Sequence, residues 1–359
     1  MKILFATSHA YLPQRTGGAL ISTHELCRDL TARGHSVAVL AATERGGMAW
    51  LANRFKAKLA NHRCTVDTVN GYPTLRGWMN DATCQEAAAR MRPDVVVVVG
   101  ASPGPYTLAA CFERLGLPVI YQMRDCDFEQ HGGDLGRLRA TFLANSGFVA
   151  GRLRERFGIA STVIYPPFRK EGFVVDRPGN KVLMINPDPA KGGEIAIAIA
   201  EKRPDVRFRI QECWPSNKNL VYLKERAARS GNVDWCPAIK NVCEIYADAR
   251  LLLAPSQGEE AWGRVVTEAQ LSGIPVLASD IGGLPEAVGP GGRLVDPKAD
   301  LSVWLQAFSE IWDDPAHWAS LSAKAAAHAN DPCFSIDYCT EAMLSVCQAA
   351  MRIPGKRVG

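Results

Sequence analysis

Glu260 and Glu268 are separated by seven residues in Pro255-Ser-Gln-Gly-Glu-Glu-Ala-Trp-Gly-Arg-Val-Val-Thr-Glu268, and a second glycine loop, Ile281-Gly-Gly-Leu-Pro-Glu286, follows shortly after. The residues before them, Arg250-Leu-Leu-Leu-Ala254, read as a buried parallel strand, and those after Gly263 read as a helix. A strand, a glycine-bearing loop and a first helical turn make an anion site, because unpaired backbone N–H groups and the helix dipole both favour phosphate. Two carboxylates beside that site would repel a ligand that was phosphate alone. They suit one that also carries sugar rings, since a carboxylate accepts two hydrogen bonds from a diol. The chemistry these residue types predict is recognition of a nucleotide sugar.

Positioning such residues calls for sheets whose strand ends converge. Apolar runs rich in β-branched residues alternate with helical patterns along the chain, which predicts parallel strands joined by crossover helices. In the first series, strands are expected at 2–7, 36–41, 64–69, 94–99, 119–122, 142–145 and 162–165, with an amphipathic helix over 22–33. Tyr165-Pro-Pro-Phe168 and the polar stretch to Gly179 read as a linker. A second series follows at 181–185, 206–211, 233–236, 249–254, 274–278 and 292–295. The expected architecture is α/β, with two Rossmann-like doubly wound domains, 1–168 and 169–330, facing a central cleft, and a C-terminal helix in 331–359 packing on a domain surface. Ligands of open parallel sheets bind beyond the C-terminal ends of the strands. No Gly-x-Gly-x-x-Gly follows a strand, which disfavours a dinucleotide dehydrogenase.

The 359 residues suffice for two ordinary domains, and 47% hydrophobic with 22% charged residues are proportions of a globular chain with a full core. A formal charge of +4 without a basic run argues against a nucleic-acid partner. Eleven cysteines occur with no Cys-x-x-Cys pair, so buried free thiols in a reducing cytoplasm are expected, Cys111 and Cys243 among them. Lys2-Ile-Leu-Phe-Ala6 is too short for a signal sequence, and no stretch approaches the roughly 20 apolar residues of a membrane span.

Over nearly its whole length the chain resembles the retaining glycosyltransferases of family 4 (glycosyl transferases group 1), which have the GT-B fold. Met1-Lys-Ile-Leu-Phe-Ala-Thr-Ser8 with Pro13, Gly17-Gly18 and Arg33-Gly-His-Ser-Val37 is similar to the family's opening. The Glu-x7-Glu element and Gly-Gly-x-Pro-Glu are similar to its nucleotide-sugar site. Ala144-Asn-Ser-x-Phe148 and Val163-Ile-Tyr-Pro-Pro167 resemble the approach to its linker. The resemblance implies that Glu268 binds the ribose hydroxyls and Glu260 those of the transferred sugar. It places the backbone of Ala261, Trp262 and Gly263, with Arg264 and Val265 beyond, against sugar and phosphate. Lys191, in Asn186-Pro-Asp-Pro-Ala-Lys-Gly192, would balance the diphosphate, and Gly17 and Gly18 would let backbone approach it. Two departures stand out. Ile185-Asn186-Pro187 occupies the place where the family carries Gly-Arg, and Arg124 follows the strand ending near 123, where a histidine is common.

The resemblance further implies a hexosyl transfer that retains anomeric configuration, from a UDP- or GDP-sugar to an acceptor hydroxyl, with neither metal nor cofactor. Catalytic parts fall to Glu260, Lys191 and Arg124. The acceptor is a saccharide, a lipid-linked sugar or a small metabolite. A catalytically weak nucleotide-sugar-binding protein and a GT-B hydrolase or epimerase are the competing readings. Glutamates are most often solvated, and Arg124 is as compatible with a surface ion pair to Asp125 or Asp127 as with catalysis. His131 receives no role. In 48–63, Leu51, Phe55 and Leu59 recur at helical spacing among Arg54, Lys56, Lys58 and Arg63. That pattern fits either a helix covering its own sheet or peripheral contact with anionic lipid on the inner face of a membrane. The expected location is cytoplasmic.

Overall fold

The computed structural model describes residues 1–43, 62–101, 103–175, 179–213, 220–239 and 242–352. The amphipathic pattern at 48–61 therefore lies outside the described residues. The chain divides into two compact units, one formed by Met1–Phe168 with the chain from Cys333 onward, the other by Arg169–Pro332.

The first unit is built on a sheet ordered β3-β4-β2-β1-β5-β6-β7-β8. Its strands are β1 (Lys2–Ala10), β2 (Ser36–Ala42), β3 (Cys64–Asp67), β4 (Thr74–Gly77), β5 (Val95–Gly100), β6 (Val119–Met123), β7 (Thr141–Ala144) and β8 (Ser161–Val163). The five valines of β5 are fully buried, as a central parallel strand covered on both faces requires. β3 departs from the expected parallel scheme, for it pairs antiparallel with β4, a strand the sequence pattern does not predict. The chain reverses between them at Asn70-Gly71, where Gly71 has φ +86° and donates its N–H to Thr68 O at 2.9 Å. The first helix spans Gly18–Ala32, starting earlier than the expected residue 22, so Gly17 and Gly18 form its N-terminus. The last helix, Ile336–Arg352, buries Ile336, Cys339, Met343 and Cys347 in this unit's core. Arg33 ties it down through Asp337 at 2.7 Å and through Glu341.

The second unit has a wholly parallel sheet ordered β11-β10-β9-β12-β13-β14. Its strands are β9 (Lys181–Ile185), β10 (Arg207–Gln211), β11 (Val233–Cys236), β12 (Ala249–Ala254), β13 (Val276–Ser279) and β14 (Gly292–Val295). Strand order reverses between β9 and β12, and at such a switch point the outgoing loops part to leave a crevice at the strands' C-terminal ends. All eleven cysteines are free thiols, and Cys27, Cys64, Cys84, Cys111, Cys339 and Cys347 are buried. Cys243, expected inside the core, is only partly covered, because its helix is the short Val242–Tyr246 turn.

Candidate active site

In the second unit the expected ligand-binding residues come from the loops that leave β9 and β12, the two strands flanking the switch point. After β9, Asn186 takes a left-handed φ of +63°, a conformation asparagine tolerates, and its N–H bonds Gln211 O at 2.9 Å. A short turn, Pro189–Lys191, is capped by the Asp188 carboxylate, which accepts from Ala190 N at 2.9 Å. Gly192 then reverses the chain at φ +81°; a Cβ there would lie 2.0 Å from Pro255 O. Only glycine permits this approach, which brings the lysine turn against the start of the β12 loop. Gln257 N donates to Ala190 O at 2.9 Å and fastens the same junction.

Across that junction Lys191 Nζ meets Glu260 Oε1 at 2.5 Å, and Ser256 Oγ donates to the same oxygen at 2.8 Å. The structure thus joins two residues singled out separately in the sequence. Ser256 was missed, although its spacing of four residues before Glu260 was readable. The backbone under Glu260 is set by the second glycine loop. A Cβ on Gly282 would lie 2.6 Å from Glu260 N, and Gly283 N donates to Glu260 O at 2.7 Å. That loop, similar in sequence to the family's nucleotide-sugar site, packs under the backbone that carries the Glu260 carboxylate.

Gly263, at φ +95°, starts the helix Arg264–Gln270; a Cβ there would lie 2.6 Å from Leu284 Cδ2. Trp262 turns inward, buried, with its indole N–H on Thr267 Oγ1 at 3.0 Å, while Ala261 and Val265 stay partly exposed. One helical turn on, Glu268 is buried and accepts from Arg264 Nε at 3.2 Å through Oε1 and from Tyr246 OH at 2.8 Å through Oε2. Burial first, then the Glu268 charge beside it, push the Tyr246 phenol well above its ordinary range, so it stays protonated and donates. The same two causes push the nearby Cys213 thiol up to about 11. Tyr246 lies 22 residues before its partner, at the end of a five-residue helix, and no sequence signal marked it. Each Glu268 oxygen retains a second lone pair for a ligand hydroxyl.

The remaining expected residues belong to the first unit. Gly17 is extended at φ 164° and caps the first helix, which begins at Gly18. The preceding loop is gripped by Arg76 of β4, which donates to Tyr11 O at 3.2 Å and Leu12 O at 2.6 Å and is paired with Asp67 at 2.6 Å. Arg124 lies just past β6 and is buried, and its backbone N–H bonds Gly100 O at 2.9 Å. Asp125 Oδ1 accepts from His131 Nε2 at 2.8 Å, and His131 Nδ1 lies 2.6 Å from Tyr121 OH. The fully buried His131, given no role from sequence, ties the loop to β6. Among the described residues, no group of three or more His, Cys, Asp or Glu side chains is gathered to hold a metal ion, and no helix is long and apolar enough to cross a membrane.

Two family profiles match this chain in succession, Glycosyltransferase Family 4 over residues 16–170 and Glycosyl transferases group 1 over 185–328, together most of its length. The D-inositol 3-phosphate glycosyltransferase of Mycolicibacterium smegmatis is 35% identical over 174 residues, 45% of this chain. That match spans only 38% of the relative's own length. The crystal structure of Anabaena HepE in complex with UDP and glucose shares the fold, with a TM-score of 0.78 and 17% identity over 97% of this chain and all of that one. Sucrose-phosphate synthase from Thermosynechococcus elongatus does likewise, with a TM-score of 0.72 and 16% identity over 97% of this chain and 99% of the other.

Proposed function

Because the chain belongs to glycosyltransferase family 4 and has the GT-B fold, we propose that it transfers a sugar from a nucleotide-sugar donor, a UDP- or GDP-sugar, to an acceptor hydroxyl with retention of anomeric configuration. The observation that carries this reading is that Lys191 meets Glu260 beyond the two strands flanking the switch point of the second sheet, with Glu268 on the helix that follows the same β12 loop. A cation and two carboxylates match a ligand with one diphosphate and two hydroxyl-bearing rings. The UDP and glucose bound by HepE, and the named activity of the relatives, are consistent with a donor of this class and a hydroxyl acceptor.

On this reading Glu268 accepts from the ribose hydroxyls and Glu260 from those of the transferred sugar. Lys191 faces the diphosphate, with the backbone of 261–263 and residues Asn186, Arg264 and Val265 lining the donor. The roles expected of Gly17, Gly18 and Arg124 belong to the same proposal. During transfer the bond from the anomeric carbon to the phosphate oxygen breaks as the acceptor oxygen bonds that carbon. The acceptor proton passes to the departing phosphate oxygen, so the nucleoside diphosphate leaves singly protonated. Charge grows on that phosphate, and a prepositioned ammonium lowers the barrier most where the charge appears. Charge compensation by protein cations is the basis for proposing a metal-independent reaction. Acceptors of three kinds are candidates: a saccharide, a lipid-linked sugar or a small metabolite.

A thermal-shift panel of nucleoside diphosphates and nucleotide sugars tests the donor class. A ligand at 100 times its Kd stabilises the folded form by about 2.7 kcal/mol, a shift of several degrees. Elevation by one UDP- or GDP-sugar, followed by acceptor-dependent release of the nucleoside diphosphate, is the expected result. No shift with any member of the panel contradicts the proposal, and isolation of a product of inverted configuration contradicts its stereochemical part.

A further inference from the structure

The pair at the switch point joins the group expected to hold phosphate to the group expected to hold sugar, and so couples the two ends of the ligand. Lys191 Nζ sits 2.5 Å from Glu260 Oε1, with Ser256 Oγ at 2.8 Å on the same oxygen. The lysine side chain is 39% exposed and the glutamate 18%, so both are accessible to a ligand. The backbone beneath each is fixed. Gly192 is wedged against Pro255 O, Gln257 N is bonded to Ala190 O, and Gly283 N to Glu260 O. The loops cannot draw apart without breaking these contacts; the ammonium and carboxylate separate by side-chain rotation.

We infer that Glu260 is a discriminating residue that makes the site favour a nucleotide sugar over the free nucleoside diphosphate, by holding Lys191 until sugar hydroxyls take the lysine's place. This rests on the donor reading above. A nucleoside diphosphate arriving alone meets an ammonium already neutralised, beside a carboxylate that repels it. Drawing Lys191 to the phosphates then strips Glu260 of its cation and offers nothing in return. A nucleotide sugar brings hydroxyl donors to Glu260 as its phosphates take the lysine, so both charges remain compensated. After transfer the sugar is gone, Glu260 reclaims Lys191, and the product nucleotide is released. Repulsion between a carboxylate and a diphosphate about 6 Å away, at an effective dielectric of about 40, corresponds to about tenfold in affinity.

A pair serving only as a brace behaves differently. A half-exposed ion pair contributes little to folding, so its loss would slightly lower stability and leave nucleoside diphosphate affinity unchanged. Titration calorimetry with UDP, GDP and their glucose esters, on the wild type, Glu260→Gln and Glu260→Gln/Lys191→Ala, separates the two. The expected result is about tenfold tighter binding of the nucleoside diphosphate by Glu260→Gln, weaker binding of its sugar ester, and loss of the gain in the double variant. Glu260→Asp, which keeps the charge but shortens its reach, is expected to fall between and serves if Glu260→Gln does not fold. A folded Glu260→Gln protein that binds the diphosphate no tighter than wild type overturns the inference while leaving the donor site standing. A wild type that binds no nucleotide sugar overturns both.

Discussion

At the strand ends of the second unit, Lys191 and Glu260 meet where both remain accessible, the lysine 39% exposed. In the first unit, Arg76 is 4% exposed and His131 fully buried, each satisfied on several sides by protein atoms. One sheet plan thus carries two uses of polar residues. At the switch point of the second unit, glycines bring Lys191 and Glu260 together across 69 residues of chain, and the glutamate oxygens keep lone pairs for a ligand. In the first, buried partners lock loops in place: Arg76 holds the Tyr11 and Leu12 carbonyls, and His131 links Asp125 to Tyr121. Burial of that kind supplies precise geometry at the cost of exchangeability, whereas half-exposed pairs can trade a protein partner for a ligand.

The largest effect expected to break this contrast is at Gly192. Alanine there adds a Cβ 2.0 Å from Pro255 O and forces a side chain onto φ +81°, so Gly192→Ala should lose about 3 kcal/mol or more. Denaturant midpoints measure it; a loss under about 1 kcal/mol would show that the lysine turn does not depend on this approach. Next is Arg76→Ala, which strands the carbonyls of Tyr11 and Leu12 and should cost about 2–4 kcal/mol in the same measurement. Near-neutral behaviour would erase the distinction between the two units. Tyr246→Phe keeps the ring and removes one charge-assisted hydrogen bond from Glu268. The donor KM should rise about tenfold with kcat nearly unchanged. A phenol that only braced the core would lower the melting temperature and leave KM in place.

The smallest effect is electrostatic and confined to the second unit. Arg203 bonds Asp205 and Asp313 at 2.7 and 2.8 Å, and these hydrogen bonds, the strongest influence on each, hold both carboxyls below their ordinary range. A depressed folded-state pKa contributes stability above the unfolded value, about 3.9 for Asp, and that contribution is lost as pH falls through the lower folded one. Lowering the pH from 6 to 3 should therefore reduce the melting temperature of the wild type more than that of Arg203→Gln. Because both carboxylates are substantially exposed, the difference amounts to about 1 kcal/mol or less. Parallel pH profiles would remove Arg203 from the account.

Much of the second unit was legible because its cues are local. Strand-length apolar runs, glycines at reversals and the Glu-x7-Glu spacing all sit within a few residues of what they position. β4 escaped because Thr74-Leu-Arg-Gly77 is short and carries an arginine, whose burial is satisfied by Asp67, Gln14 and the Tyr11 and Leu12 carbonyls. The first helix was read late because glycines at 17 and 18 argue against a helix start, although the fold places one there. Tyr246 was invisible for the same reason as Arg76: its partner is remote in sequence. What the second glycine loop packs against, the backbone of Glu260 some twenty residues earlier, was not legible either, because that contact depends on the folded chain.

The most direct measurement is donor affinity, by titration calorimetry, of the wild type beside Lys191→Ala and Glu268→Gln, each checked for an unchanged melting temperature. Loss of a charge-assisted contact predicts a Kd for the nucleotide sugar about 10- to 100-fold weaker in each variant. Folded variants that bind the donor as tightly as the wild type would contradict the assignment of this site.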